Sequence, residues 1–199
     1  MPATAEPPIS PSKPSSMESV DSRLDRAIEH HQAGRFQEAE EIYRDILRHS
    51  PNHRDALHLL GAVAHQTGRN DEAIQLIQRA IAIDGSQAVF HNSLGSVYQS
   101  LGHQAAAAAC YQQSVMLDRN YPEGHNNLGM VLIDLGRHAE AAAVLQRAVE
   151  LKPDYANAYN NLGIALKLLG RFAEATAAFR RGLQSRDSFW EAHFQLGNI

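Results

Sequence analysis

The chain has 199 residues, 44% of them hydrophobic and 20% charged, with a formal net charge of -4. This is the balance of a folded globular chain, and an acidic chain without a basic stripe argues against nucleic-acid binding. No run approaches the roughly 18 apolar residues of a membrane span, and a single Cys110 leaves no intrachain disulfide, so the expected compartment is the cytoplasm.

Residues 1–19 carry Pro7-Pro8, Pro11, Pro14 and Ser15-Ser16, one Lys and no apolar core of a signal peptide. They are expected to form a disordered tail, because they hold too little apolar surface to offset chain entropy. From there on the chain is periodic. Gly34, Gly68, Gly102, Gly136 and Gly170 stand 34 residues apart, and Gly61, Gly95, Gly129, Gly163 and Gly197 keep the same spacing. One structural unit therefore recurs. The units are 20–53, 54–87, 88–121, 122–155 and 156–189, with a sixth beginning at Trp190, which places the repeat region at 20–199.

Apolar spacing predicts two helices of about 12–15 residues in each unit, as in the stripe Leu162, Ala165, Leu166 and Leu169. Counting from the first residue of a unit, the glycine at position 15 follows the first helix, where a residue with positive φ closes the last turn. The glycine at position 8 lies inside that helix and costs about 1 kcal/mol relative to Ala. It is expected to mark a close approach of the two helices, with the alanine of position 20 (Ala39, Ala73, Ala107, Ala141, Ala175) small for the same reason on the facing helix. Position 24 is bulky in every unit (Tyr43, Ile77, Tyr111, Leu145, Phe179), while position 32 is Pro51 and Pro153 in two units but Gly85, Arg119 and Asp187 in the others.

Reactive chemistry is not evident. There is no Gly-rich phosphate loop, HExxH or paired CxxC, so no catalytic residue, cofactor or metal is expected. Of the 11 histidines, His91, His125 and His193 share one repeat position, and periodicity explains them without a ligand. Cys110 reads as a small packing residue. Glu38, Glu72, Glu140 and Glu174 recur in the first turn of the second helix, where the helix dipole favours negative charge. One pattern stands apart: position 5 is Asn92, Asn126 and Asn160, and position 6 is Ser93, Asn127 and Asn161. Asparagine is a mediocre helix former, because its amide competes for backbone hydrogen bonds. Its repetition needs a reason, either pairing with the backbone of an extended peptide or bonding to neighbouring helices. Both readings stand for position 6; the structural one is preferred for position 5.

The pattern resembles the tetratricopeptide repeat, W-x2-L-G-x2-Y…A-x3-F…P, over the whole chain after residue 19. The Trp position is replaced by Leu57, His91, His125, Tyr159 and His193, and the first unit has Arg23, Arg26 and Ala27 in place of Trp, Leu and Gly. The resemblance implies an all-α, right-handed superhelical solenoid of antiparallel helix pairs. It also implies a protein- or peptide-binding scaffold whose groove is lined by positions 2, 5, 6, 9, 12 and 13. The motifs His125-Asn126-Asn127-Leu128-Gly129 and Tyr159-Asn160-Asn161-Leu162-Gly163 are similar to the repeats preceding the catalytic region of O-linked N-acetylglucosamine transferases and SPINDLY-like proteins. That likeness implies that Asn127, Asn161 and Ser93 contact a substrate backbone, with Asn92, Asn126 and Asn160 beside them. It also offers an alternative function, the non-catalytic recognition arm of a glycosyltransferase whose activity would reside in a further domain. Position 9 is Ile28, Ala62, Ser96, Met130 and Ile164 instead of Asn, so the carboxylate clamp of cochaperones is not expected. Neither nucleic acid nor membrane is an expected partner. Because the sequence stops at Ile199, inside a sixth unit, it is expected to continue in a longer protein or to self-associate through an uncapped end where Leu196 lacks its partner helix.

Overall fold

The computed structural model describes residues 19–185. Ten helices follow one another, with no strand among the described residues: α1 Val20–Gln32, α2 Phe36–His49, α3 Arg54–Gln66, α4 Asn70–Ile83, α5 Ala88–Ser100, α6 Gln104–Leu117, α7 Pro122–Asp134, α8 His138–Leu151, α9 Ala156–Leu168 and α10 Phe172–Ser185. The odd-numbered helices have 13 residues and the even-numbered ones 14. Each odd helix begins on the first residue of a 34-residue unit and turns back through a three-residue link onto the even helix of that unit. The result is a row of antiparallel helix pairs, an all-α solenoid.

The link has a specific chemistry. Gly34, Gly68, Gly102, Gly136 and Gly170 have φ between 73° and 81°, the left-handed region that a Cβ disfavours. Around each, two backbone bonds form a Schellman motif: Gly34 N–H donates to His31 O at 3.0 Å, and Arg35 N–H donates to His30 O at 2.9 Å. The same pair recurs at every later link, ending with Gly170 to Lys167 O and Arg171 to Leu166 O, both at 2.9 Å. After the link, Arg137 and Arg171 each fork onto the glutamate three residues on, Glu140 and Glu174, with N···O distances of 2.6–2.8 Å. Glu140 and Glu174 therefore have an arginine partner in addition to the helix dipole, as does Glu72 through Arg69. Arg69 reaches further, gripping Glu40 of the previous unit through both carboxylate oxygens at 2.8 and 2.6 Å.

The connections between units solve one turn in two ways. Pro51 and Pro153 preset φ in two of them. Where Gly85 and Arg119 stand instead, the residue before is an aspartate whose side chain makes the turn. Asp84 Oδ1 accepts from Ser86 N–H at 3.0 Å, and Asp118 Oδ1 accepts from Asn120 N–H at 2.9 Å. The Ser86 and Gln87 side chains also bond to Asp84 and lower its pKa to about 2. His91 and His125 then donate from Nε2 to the carbonyls of Gly85 and Arg119, both at 3.1 Å. Histidine at the Trp position is thus a turn clasp.

The position-8 glycines do mark a close approach, but to a different residue from the one expected. A Cβ on Gly61 would lie 2.7 Å from Ile77 Cγ1, on Gly95 2.7 Å from Tyr111 Cε1, and on Gly163 2.5 Å from Phe179 Cε1; on Gly129 it would overlap Leu145. The glycine makes room for the large side chain of position 24. The position-20 alanines are fully buried, and at Gly61 the Ala73 carbonyl lies 3.3 Å from the added Cβ. Tyr43, Ile77, Tyr111, Leu145 and Phe179 are at most 1% exposed, each contributing roughly 1.5–3 kcal/mol of apolar burial. Gly197, Trp190, His193, Leu196 and Asp187 lie outside the described residues.

Candidate functional site

Curvature follows from which helices touch. α1 packs on α3, α3 on α5, α5 on α7 and α7 on α9, whereas no two even-numbered helices come within packing distance. The odd row is therefore the inner, concave side of the stack. Its surface carries the asparagine pattern.

Those amides are joined across units. His58 Nε2 and Ser93 Oγ are 2.8 Å apart, Asn127 Nδ2 donates to Asn92 Oδ1 at 3.0 Å, and Asn161 Nδ2 donates to Asn126 Oδ1 at 3.0 Å. Every rung links position 5 of one unit to position 6 of the next, 35 residues on. Asn126 Nδ2 also donates to Asn127 Oδ1 at 3.3 Å. A continuous run, Asn161 to Asn126 to Asn127 to Asn92, thus crosses α9, α7 and α5, and each bond polarises the next. Asn126 and Asn160 are buried; Ser93, Asn92, Asn127 and Asn161 are half-buried. In the two asparagine rungs position 5 supplies the acceptor and position 6 the donor. Asn127 and Asn161 each retain a second amide hydrogen beyond the bond they make.

His58 occupies the first rung. It is 8% exposed, and its ring centroid lies 4.6 Å from that of Phe90. Burial, outweighing the raising effect of Asp55 and aided by His31, lowers its pKa to about 4. The imidazole is therefore neutral near pH 7 and bonds to Ser93 as an uncharged group. This position offered no asparagine to the eye; the signal that finds it is its register with Asn92.

Two hollows open on the concave side. One of about 510 Å³ lies between α1 and α3, lined by Ile28, His31, Gln32, Phe36, Leu59 and Gln66. The other, of about 170 Å³, lies between α3 and α5 and shares Gln66, with His65, Ser93 and Ser96 at its rim. Further along lie Met130 and Ile164 at position 9 and Ile133 at position 12, all half-buried, with Leu168 at position 13 52% exposed. The concave face thus has an N-terminal half with two hollows of mixed polar and apolar lining and a C-terminal half where the amides lie beside apolar side chains. No group of three or more His, Cys, Asp or Glu able to hold a metal occurs among the described residues. No described helix is long and apolar enough to cross a membrane. Cys110 is a half-buried free thiol with its pKa raised by burial.

Comparison with known proteins agrees with this geometry. Residues 24–88, 88–121 and 156–186 match the tetratricopeptide repeat, and residues 129–170 match a further TPR repeat family. The chain is built of tetratricopeptide repeats. No curated protein matches it in sequence. Among solved structures, MamA is similar at 24% identity, a TM-score of 0.71, and coverage of 84% of this chain and 92% of that one. YrrB, described as a TPR protein with an unusual peptide-binding site, aligns at 19% identity with a TM-score of 0.72 over 92% of this chain and 94% of its own. PilW, a type IV pilus biogenesis factor, reaches a TM-score of 0.78 at 20% identity over 90% and 87%. At such identities the likeness shows the fold.

Proposed function

We propose that this chain is a non-enzymatic scaffold that binds an extended peptide segment of a partner protein along its concave face. One observation carries the reading: a row of half-buried amides, each with a remaining N–H, lies on the inner face between polar-rimmed hollows and a set of apolar side chains. An extended peptide presents a carbonyl and an N–H every second residue toward such a row, whatever its side chains. The peptide-binding description of YrrB, a neighbour in fold, supports the same use of this surface. Asn127 and Asn161 would contact the peptide backbone, with Ser93 extending the row, while Asn92 and Asn126 hold it in place and Asn160 lies beside it. Selection of linear peptides from a display library tests the proposal. Selected peptides should lose at least about tenfold in affinity, or about 1.4 kcal/mol, on Asn127→Ala/Asn161→Ala and keep it on Ala143→Arg of α8. Equal binding by the double variant at equal thermal stability would refute the assignment.

The asparagine ladder also supports a second reading, the recognition arm of an O-linked N-acetylglucosamine transferase. A nucleotide-sugar-binding α/β domain encoded after Ile199 would favour it, and a different domain there would exclude it. Self-association through the C-terminal end is a further proposal, resting on the repeat pattern alone. Sedimentation mass independent of concentration would remove that proposal.

A further inference from the structure

The hollow between α1 and α3 differs from the rest of the concave face in its hydrogen-bonding sense. Its floor is apolar, from Ile28, Leu59 and Phe36. At its rim, His31 Nε2 and Gln66 Oε1 are 2.9 Å apart, so the Gln66 acceptor is engaged by the imidazole while the amide hydrogens on its Nε2 remain. Gln32 adds a second exposed amide. Such a rim offers donors and an apolar floor, and suits a ligand rich in carbonyls and poor in N–H groups. Proline-rich chain has that composition, since each proline removes a donor and fixes φ for an extended left-handed helix.

The protein carries such a segment in sequence ahead of α1. Pro7-Pro8-Ile9-Ser10-Pro11-Ser12-Lys13-Pro14 ends five residues before Ser19, the N-cap of α1. From Val20 to His31 the helix rises about 17 Å, at about 1.5 Å per residue. In an extended proline helix of about 3.1 Å per residue, Pro14 to Pro7 span path lengths of about 16 to 37 Å from Ser19. The segment therefore has the length to run back along α1 and reach across to Leu59 of α3. Connected in the same chain, it acts at an effective concentration in the millimolar range, without needing high intrinsic affinity.

We infer that residues 7–14 dock in cis in the α1–α3 hollow, the prolines and Ile9 on the apolar floor and their carbonyls accepting from Gln32 and Gln66. This rests on the concave face being a peptide-binding surface, and it makes the tail an internal competitor for that surface. A partner segment must displace it.

The test uses the full chain. A nitroxide at Ser12→Cys, in a Cys110→Ala background, should selectively broaden the amide resonances of Ile28–Phe36 and Leu59–Gln66, including the side-chain amides of Gln32 and Gln66. Leu59→Arg, or the quintuple substitution P7S/P8S/I9S/P11S/P14S, should abolish that broadening. Mixing spin-labelled unlabelled-nitrogen chain with 15N chain should give none, because the contact is intramolecular. Broadening elsewhere, no broadening, persistence in the Leu59→Arg chain, or equal broadening in the mixed sample would each overturn docking in cis. Docking and the general reading fail separately: peptides selected on the concave face that bind a chain with an undocked tail would leave the scaffold function standing.

Discussion

Two kinds of residue hold the concave face in shape, and each gives a sharp test. Gly129 sits where Leu145 fills the space a Cβ would need. Gly129→Leu should destabilise the chain by roughly 1–3 kcal/mol through overpacking, and truncation of the opposing side chain in Gly129→Leu/Leu145→Ala should recover part of the loss in urea denaturation. No recovery would mean that the glycine acts through something other than this contact. His58 gives the second test. Its folded-state pKa of about 4 lies below the ordinary 6.5 because burial disfavours the charged ring. The unfolded chain takes up the proton below about pH 6.5, whereas the folded chain does so only near pH 4. The contribution is therefore fully present above pH 6.5, is lost as pH falls from 6.5 to 4, and does not change further below that. Its full extent is about 3 kcal/mol. The difference in stability between pH 7 and pH 4.5 should be smaller in His58→Gln than in the parent chain; equal differences would contradict the assignment.

At the level of the helix, the asparagines set the spacing of the odd row. Asn126 is the hub, accepting from Asn161 and donating to Asn127. Asn126→Ala should cost about 1–3 kcal/mol, since it strips partners from two polar neighbours. In a double-mutant cycle Asn126 and Asn161 should couple by about 0.5–1.5 kcal/mol. Additive single effects would show that the rung is not a stabilising bond. The same scale shows what the sequence made legible. Helix starts, link glycines and close approach at position 8 all follow from the 34-residue period, because each is a local backbone requirement repeated in register. The partner of that glycine was not legible, since apolar spacing says which residues are buried but not which of two buried neighbours meets the gap. The substitutes for proline at position 32 were hidden as well. Asp84 and Asp118 form their turns by side-chain bonds one residue earlier, and a motif centred on proline does not look there. For the asparagines, sequence left two roles open because an amide has two hydrogens and two lone pairs; the structure uses some of them between helices, and the ligand role is the part proposed above.

Taken as a whole molecule, the stack bends because odd helices touch and even ones do not, which gathers the amides and both hollows onto one side. A partner that binds as proposed meets only that side. Photo-crosslinking places it directly: a benzophenone amino acid at Ala62 or Ile164 on the concave face, against one at Ala143 on α8, each exposed to a peptide selected for binding. The account predicts crosslinks from Ala62 and Ile164 that unlabelled peptide competes away, and none above background from Ala143. Crosslinks from Ala143 alone would contradict it, and would move the binding surface to the even-numbered helices.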